Sequence, residues 1–218
     1  MLDIIQIDLG MVNTYLLKTD DGYILVDTGV SQMFDRLIEA LTKAGCTQNN
    51  LKMIILTHGD TDHVGNALAL KKAYGAKIAM HEVDYPMVRE GKSLKREAKG
   101  LVWKVLSKMN ERPGEPNPDF QVDIFLTDNQ RLDEYGVAAQ VMHIPGHTPG
   151  SIAILTDDGQ LICGDIFGNQ RKPDLTPMVE NRQQLQASVE KIKQVHPKMV
   201  YPGHGKPFDG DAFEKIGL

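Results

Sequence analysis

The chain has little cysteine for its 218 residues, since Cys46 and Cys163 are the only two. Two cysteines are too few for a disulfide framework, so we expect a reducing, cytoplasmic setting. The chain also lacks a basic excess, because 24 lysines and arginines face 29 acidic residues and give a formal net charge of -5. This balance argues against a nucleic-acid partner, which normally meets a basic surface.

Long hydrophobic runs are missing as well. No apolar stretch is long enough to cross a bilayer, and the start of the chain, M-L-D-I-I-Q-I-D, lacks the basic and apolar regions of a signal peptide. We therefore expect no membrane partner. Hydrophobic residues make up 41% of the chain and charged residues 24%, as in ordinary globular proteins. We interpret residues 1–218 as a single domain, which is long enough to bury a core.

Strand and helix patterns occur in two sets, one on each side of residues 81–119. The first set contains short strands and a helix predicted over residues 33–44, and the second contains strands from Val122 onward and a helix predicted over residues 183–195. Between the two sets, apolar residues recur at helical spacing from Leu94 to Met109, and the breaker-rich stretch R-P-G-E-P-N-P-D follows. Because this segment is too small for its own core, we predict an inserted helical cap.

The central motif is I-I-L-T-H-G-D-T-D-H-V-G at residues 54–65, where a predicted buried strand turns sharply into a helix. His58, Asp60, Asp62 and His63 project from this turn. Imidazole nitrogens and carboxylate oxygens are ligands of zinc, manganese and iron. Such a dense group of ligand types predicts a metal site.

Three later loops carry the same kinds of side chain, each beside a glycine at the end of a predicted strand. They present His147 in I-P-G-H-T-P-G, Asp165 in C-G-D, and His204 in P-G-H-G. With the central turn this makes more candidate ligands than one tetrahedral zinc can hold, and it suits two metals with a bridging carboxylate. A purely structural metal is the alternative, but closed structural zinc sites favour cysteine, and neither cysteine is placed to help.

In these motifs the chain resembles the metallo-beta-lactamase superfamily, whose pattern is H-x-H-x-D-H followed by separated His, Asp and His. The resemblance covers nearly the whole chain and implies an α+β fold, a four-layer αββα sandwich with the metals at one edge between the sheets. It implies that His58 and His147 bind a first metal. It also implies that a second metal is bound by Asp62, His63 and His204, and that Asp165 bridges the two.

Asp60 departs from the family pattern, which has histidine at this position. A carboxylate adds a negative charge and a hard oxygen ligand, and this moves the preference towards iron or manganese and makes the bound water less acidic. The alternative is that Asp60 does not ligate at all. Iron-containing flavodiiron relatives also carry a carboxylate here, although they have an added flavin domain. We expect two divalent ions, with zinc as the first choice and iron or manganese as alternatives.

The predicted function is metal-dependent hydrolysis of a small-molecule ester, thioester, lactone or phosphoester. A metal-bound hydroxide attacks the substrate, and Asp62 orients the nucleophile and passes on its proton. The alternatives are a non-hydrolytic iron-dependent oxidoreductase or dioxygenase of the same fold, and a non-catalytic metal-binding module. The sequence leaves the oligomeric state open.

Several further side chains have more than one interpretation. Asp27, Thr57 and Thr148 could support metal ligands through hydrogen bonds. The alternative for Thr57 and Thr148 is that each only stabilises a turn. A basic run in the predicted cap is interpreted as the solvated face of a helix, with contact to an anionic substrate as the alternative. This run consists of Lys92, Lys95, Arg96 and Lys99.

Overall fold

The computed structural model of the protein describes residues 2–110 and 114–217. Two mixed sheets occupy the centre of this part of the chain. In the first sheet the leading three strands pair antiparallel and the remaining neighbours pair parallel. Its strands, in spatial order, are β1 (Ile4–Asp8), β2 (Asn13–Thr19), β3 (Gly22–Val26), β4 (Leu51–Ile55), β5 (Lys77–Met80) and β7 (Ile124–Phe125).

The second sheet is built from the later half of the chain. Its central pair, β10 and β13, is parallel, and its other neighbours are antiparallel. Its strands are β14 (Phe208–Asp209), β13 (Met199–Gly205), β10 (Gln160–Asn169), β9 (Ile152–Thr156) and β8 (Ala139–His143), with β11 (Asp174–Leu175) paired to β10. A separate two-stranded ribbon joins β6 (Glu97–Ala98) to β12 (Met178–Val179).

The described residues form seven α-helices. They are α1 (Phe34–Lys43), α2 (Thr61–Val64), α3 (Ala67–Tyr74), α4 (Tyr85–Arg89), α5 (Leu101–Asn110), α6 (Arg182–Gln194) and α7 (Gly210–Phe213). The helix predicted over residues 33–44 therefore forms as α1, and that over residues 183–195 forms as α6. Helices α1 and α3 pack on the outer face of the first sheet, and α6 and α7 pack on that of the second. None of the helices formed by the described residues is long and apolar enough to cross a membrane.

Alternation along the strands divides the buried side chains of the described residues into three apolar clusters. In β4, Ile54 faces α1 and α3, whereas Met53 and Ile55 face the other sheet. In β10, Ile162 faces the first sheet, whereas Leu161 packs towards α6. Since adjacent strand residues point to opposite faces, both sheets are buried on both sides. This arrangement confirms the predicted α+β fold, a four-layer αββα sandwich.

The region predicted as a helical cap is less helical than expected. Its helix begins at Leu101, not at Leu94, because Ala98 lies in β6 and pairs with Met178. Leu101 and Val105 are 80% and 53% exposed, so this part of the predicted apolar face is not packed. The breaker-rich stretch begins within residues 111–113, which lie outside the described residues. The assignment of residues 81–119 to one inserted cap stays a prediction.

Strands β10 and β13 are longer than the sequence indicated. We expected strands ending near Cys163 and Tyr201, with Asp165 and His204 in the loops that follow. Instead both side chains lie within the strands, where the β10–β13 register shifts at Gly164. These irregularities supply the local bends that the loops were expected to provide.

Candidate metal centre

The structure brings together all the side chains that the sequence proposed as ligands. Four of them lie between the end of β4 and the end of α2, and the others come from the loop after β8 and from β10 and β13. They are His58, Asp60, Asp62, His63, His147, Asp165 and His204. Side chains that are distant in sequence therefore meet at one edge of the two sheets.

The backbone passes unusually close to this cluster at Gly203. A Cβ atom added there would collide with Asp165 Oδ1 and lie 2.7 Å from His63 Cε1. Only glycine lets β13 run past these two side chains and still present His204 to them. This close approach explains why glycine precedes His204 in the P-G-H-G motif.

One group of candidate ligand atoms is formed by His58, His147 and Asp165, which lie within 4.8 Å of one another. Asp60 extends this group, since its Oδ2 is 3.1 Å from His147 Nε2 and 3.5 Å from His58 Nε2. Asp165 Oδ2 lies 3.9 Å from His147 Nε2. We call these side chains the first ligand group.

A second group is formed by Asp62, His63 and His204, whose ligand atoms also lie within 4.8 Å of one another. Asp165 adjoins it, with Oδ1 at 3.2 Å from His63 Nε2 and Oδ2 at 3.0 Å from His204 Nε2. Asp62 Oδ2 lies 3.4 Å from His204 Nε2. The carboxylate of Asp165 therefore stands between the two groups, where a bridging ligand would stand.

Hydrogen bonds fix the tautomer of each histidine in the cluster. His147 Nδ1 lies 2.9 Å from the Met178 carbonyl and His204 Nδ1 lies 2.5 Å from the Met11 carbonyl, and a carbonyl can only accept. Both histidines must therefore carry their proton on Nδ1, which leaves the lone pair of a neutral imidazole on Nε2.

The other pair of histidines is held in the same way through Asp27. His63 Nδ1 lies 2.8 Å from Asp27 Oδ2. The Thr57 hydroxyl donates its only proton to the same carboxylate, so it accepts from His58 Nδ1 at 3.0 Å. Proteins orient a histidine that binds a metal through Nε2 by a hydrogen bond from its Nδ1–H to a group outside the metal site.

Several polar atoms that face into the cluster have no hydrogen-bond partner among the described residues. Within the described part of the chain, His58 Nε2, His63 Nε2 and Asp165 Oδ1 are buried and make no hydrogen bond. Buried polar atoms are rarely left unsatisfied in native proteins. Imidazole nitrogens together with carboxylate oxygens form a donor set for divalent metals, and the residues present fit such ions.

The electrostatics of the second group also favour a cation. Burial lowers the pKa of His63 and His204, but the carboxylates outweigh it. Asp165, Asp27 and Asp62 hold the pKa of His63 well above its usual value, and Asp165 is the main cause that raises the pKa of His204 to about 11. Without a metal, His63 and His204 therefore bind protons and supply the positive charge that the carboxylates favour.

Asp60 is held by Arg96, a contact that the sequence interpretation missed. Burial favours the neutral acid, but the Arg96 guanidinium holds the pKa of Asp60 well below its usual range. The interpretation of Arg96 as part of a solvated face was wrong, because the residue is only 8% exposed. Arg96 also cancels the added negative charge that was predicted for the first ligand group.

Asp84 is a second residue that the sequence interpretation missed. Its buried carboxylate accepts hydrogen bonds from the Gly59 N–H, the Thr148 hydroxyl and the Gly150 N–H, at 3.0, 2.7 and 2.7 Å. It thus connects the central turn to the loop that carries His147. Thr148 supports a ligand loop through Asp84, without contacting a ligand side chain by a described hydrogen bond.

Two other histidines and Cys163 are not part of the cluster. His81 and His143 stack on each other with ring centroids 4.2 Å apart. His81 Nδ1 accepts a hydrogen bond from the N–H of Val83. Cys163 is buried, and its pKa is raised mainly by that burial, so it is an unreactive thiol in the folded protein.

The fold and the cluster together define an αββα protein with a candidate two-metal centre. A family model described as the metallo-beta-lactamase superfamily matches residues 7–204. The chain therefore belongs to this superfamily, as its motifs predicted.

Solved structures agree on the fold. The crystal structure of the BLEG-1 B3 metallo-beta-lactamase has a TM-score of 0.75 and 22% identity, and the match covers 97% of this chain and 95% of that one. TTHA1623, whose crystal structure is of a di-iron-bound form, has a TM-score of 0.69 and 24% identity, with 98% and 97% covered.

Three curated relatives are named as hydrolases or by the family. The Beta-lactamase-like protein 2 homolog of Drosophila melanogaster is 29% identical over 196 residues, which cover 88% of this chain but only 58% of that protein. Hydroxyacylglutathione hydrolase GloC of Haemophilus influenzae is 29% identical over 177 residues, covering 76% and 71%. The probable metallo-hydrolase YflN of Bacillus subtilis is 25% identical, covering 93% and 84%.

Proposed function

We propose that this protein is a metal-dependent hydrolase whose two ligand groups each hold one divalent ion. The observation that carries the proposal is the common direction of the histidines. Each donates its Nδ1 proton outward and turns Nε2 towards Asp165 or Asp60. A packed core histidine needs no such convergence with three others, whereas a metal centre does.

When bound, the ions would supply a water molecule of lowered pKa and a Lewis acid for the substrate oxygen. Asp165, which lies between the groups, would hold both ions at a fixed separation. Asp62 is 31% exposed, so its carboxylate faces both the second ligand group and the open side. Burial raises its pKa, but the positive charges of His63 and His204 and a hydrogen bond from His204 together lower that pKa by more, so Asp62 is ionised. An ionised carboxylate has free oxygen lone pairs that can accept a proton.

We expect zinc in both groups, with iron and manganese as the alternatives. The case for iron was the extra negative charge of Asp60, and Arg96 removes that charge. What remains is a hard oxygen in the first ligand group. TTHA1623, which shares this fold, has been crystallised in a di-iron-bound form, so iron is the metal to test first if zinc is absent. Redox-active iron in this protein would favour the oxidoreductase alternative.

The proposed substrates are small molecules with an ester, thioester, lactone or phosphoester bond. The named activity of the GloC relative makes acylated glutathione the first thioester to test. The acidic net charge of -5 supports the proposal that nucleic acid is not a partner. We also propose that the protein acts without a membrane partner.

Two measurements test this function. Protein purified without added metal is first analysed for zinc, iron and manganese, and two zinc or manganese ions per chain are expected. The same preparation is then offered a thioester, a lactone and a phosphodiester before and after chelation. Turnover that disappears with the chelator and returns with the metal supports the proposal, whereas chelator-resistant turnover or no metal binding contradicts it.

A further inference from the structure

Arg96 and Asp60 form a buried ion pair between the cap region and the first ligand group. Nη1 of Arg96 donates to Asp60 Oδ2 and Nη2 donates to Oδ1, each at 2.7 Å. The arginine side chain is 4% exposed, and its Nε–H finds no partner in the part of the chain that the structure describes. Burying a guanidinium is unfavourable unless it is paired, so this placement points to a role at Asp60.

Asp60 Oδ2 lies where a third ligand of the first group would lie. It is 3.1 Å from His147 Nε2 and 3.5 Å from His58 Nε2. Nitrogen and oxygen ligands around one tetrahedral ion lie about 3.3 Å from each other, so both distances suit a shared metal. An ionised carboxylate oxygen accepts more than one contact. Oδ2 can therefore ligate a metal while it accepts a hydrogen bond from Arg96.

The charge of the pair matters as much as its position. A carboxylate alone would give the first group one more negative charge than an imidazole, but the guanidinium offsets it at close range. Asp60 and Arg96 together carry the net charge of the neutral histidine that the family pattern places at position 60. The pair thus supplies a ligand atom without changing the charge of the site.

The ribbon of β6 and β12 holds two members of the first group. Arg96 immediately precedes β6, whose Ala98 pairs with Met178 of β12. The Met178 carbonyl accepts the Nδ1 proton of His147. Asp60 is held from one strand of the ribbon and His147 from the other, so a shift of the ribbon would disturb both candidate ligands.

We propose that Asp60 and Arg96 act as one charge-neutral unit that supplies the third ligand of the first metal ion and ties the cap region to that ion. Arg96 is a positioning residue in this account, since it acts through Asp60. The inference rests on the proposed two-metal centre and concerns only its first ion.

Variants at positions 60 and 96 test the ligand and its charge by metal analysis and chelator competition. Asp60→Leu with Arg96→Met removes the ligand and the guanidinium together, and one ion per chain is expected in place of two. Asp60→His alone leaves the guanidinium uncompensated beside the ion, so the first ion binds at least about tenfold more weakly than in the parent. Adding Arg96→Met to Asp60→His restores its affinity.

Two results would overturn this part of the inference. If the Leu and Met double variant keeps both ions, Asp60 is not a ligand. If Asp60→His binds the first ion equally tightly with and without Arg96, the charge compensation is not real. Circular dichroism of each variant before metal is added separates a binding defect from a failure to fold.

A lysine-specific protease tests the tie to the cap. Lys92, Lys95 and Lys99 are exposed on the cap segment, and bound metal is expected to slow cleavage there in the parent protein. Arg96→Met keeps Asp60 and therefore both ions, but it should lose this metal-dependent protection. Glu97→Gln, an exposed change at the next residue, should keep it. Full protection in Arg96→Met would refute the coupling.

Metal binding by the parent protein distinguishes a failure of the proposed function from a failure of the Asp60–Arg96 proposal. If it binds no metal, the proposed function fails. If it binds two ions and the variants behave as the parent does, the function stands and the role of the Asp60–Arg96 pair is wrong.

Discussion

Asp27 lies against His63, with 2.8 Å between its Oδ2 atom and His63 Nδ1. The same carboxylate accepts from the backbone N–H and the hydroxyl of Thr57. Asp27 has a positive φ of 60°, a conformation that Asp and Asn tolerate better than most residues. One carboxylate thereby orients a ligand of the second group directly and a ligand of the first group through Thr57.

Asp27→Asn keeps the shape and the backbone preference but replaces one acceptor oxygen with an amide donor. At least one of the three donors, which belong to Thr57 and His63, then loses its partner. Because such supporting contacts are worth about 10–100-fold in metal affinity, the affinity should fall by about that factor in chelator competition. Asp35→Asn, on an exposed face of α1, is the matched control. Unchanged affinity in Asp27→Asn would refute this role.

Asp84→Asn should destabilise the protein by about 1–3 kcal/mol, because a buried donor is left without an acceptor. Asp84 holds Gly59 and Gly150 at once, so the change also loosens the contact between the two ligand loops. Urea unfolding measures the free energy, and Glu82→Gln is an exposed control two residues away. Equal stability of the two variants would show that Asp84 is dispensable.

The ligand residues could be predicted from the sequence because each lies in a short motif with glycine beside it. His58, Asp62 and His63 are close together in the chain, and the later motifs repeat the same chemistry. The family resemblance then implied the four-layer fold. Local patterns of this kind carry their own signal, and they need no knowledge of long-range contacts.

Arg96 could not be predicted in this way. It lies in a basic run that is typical of a solvated helix face, and its partner Asp60 is 36 residues away in the sequence. Asp84 gave no signal either, since its donors include Gly59 and Gly150, the latter 66 residues distant. The cap helix was placed too early because Ala98 pairs with Met178 across the fold, and tertiary pairing overrides helical periodicity.

Asp62→Asn should lower kcat by about 10²–10⁴-fold at saturating metal, since an amide cannot accept the proton that we assign to this carboxylate. Metal content is measured in the same samples, so a loss of turnover with both ions retained identifies a chemical role. Thr61→Ala changes the exposed neighbouring residue and should keep the parent rate. Undiminished turnover in Asp62→Asn would remove Asp62 from the mechanism.

The metal-free protein should become less stable as the pH rises. Burial opposes protonation of His204, yet Asp165 raises its pKa to about 11 in the folded state, whereas an unfolded histidine titrates near about 6.5. A pKa raised on folding gives stability that is fully present below the unfolded value and is lost as the pH rises through the folded value. The free energy of unfolding in a chelator should therefore decline from about pH 6.5 towards about pH 11.

Urea unfolding at several pH values in this window measures the decline, and His204→Gln should reduce its slope. With zinc bound, the trend should weaken or reverse, because a metal replaces the proton and competes better at higher pH. A metal-free parent and His204→Gln with the same slope would contradict the assignment of this titration to His204.

The proposed function requires two ions at one edge of the sheets, with Asp165 between them. Anomalous diffraction at the zinc edge, from crystals grown with zinc, would locate such ions. We expect two peaks about 3.5–4 Å apart, one beside His58 and His147 and one beside His63 and His204. Peaks confined to exposed carboxylates, or no peak within this cluster, would contradict the proposed function.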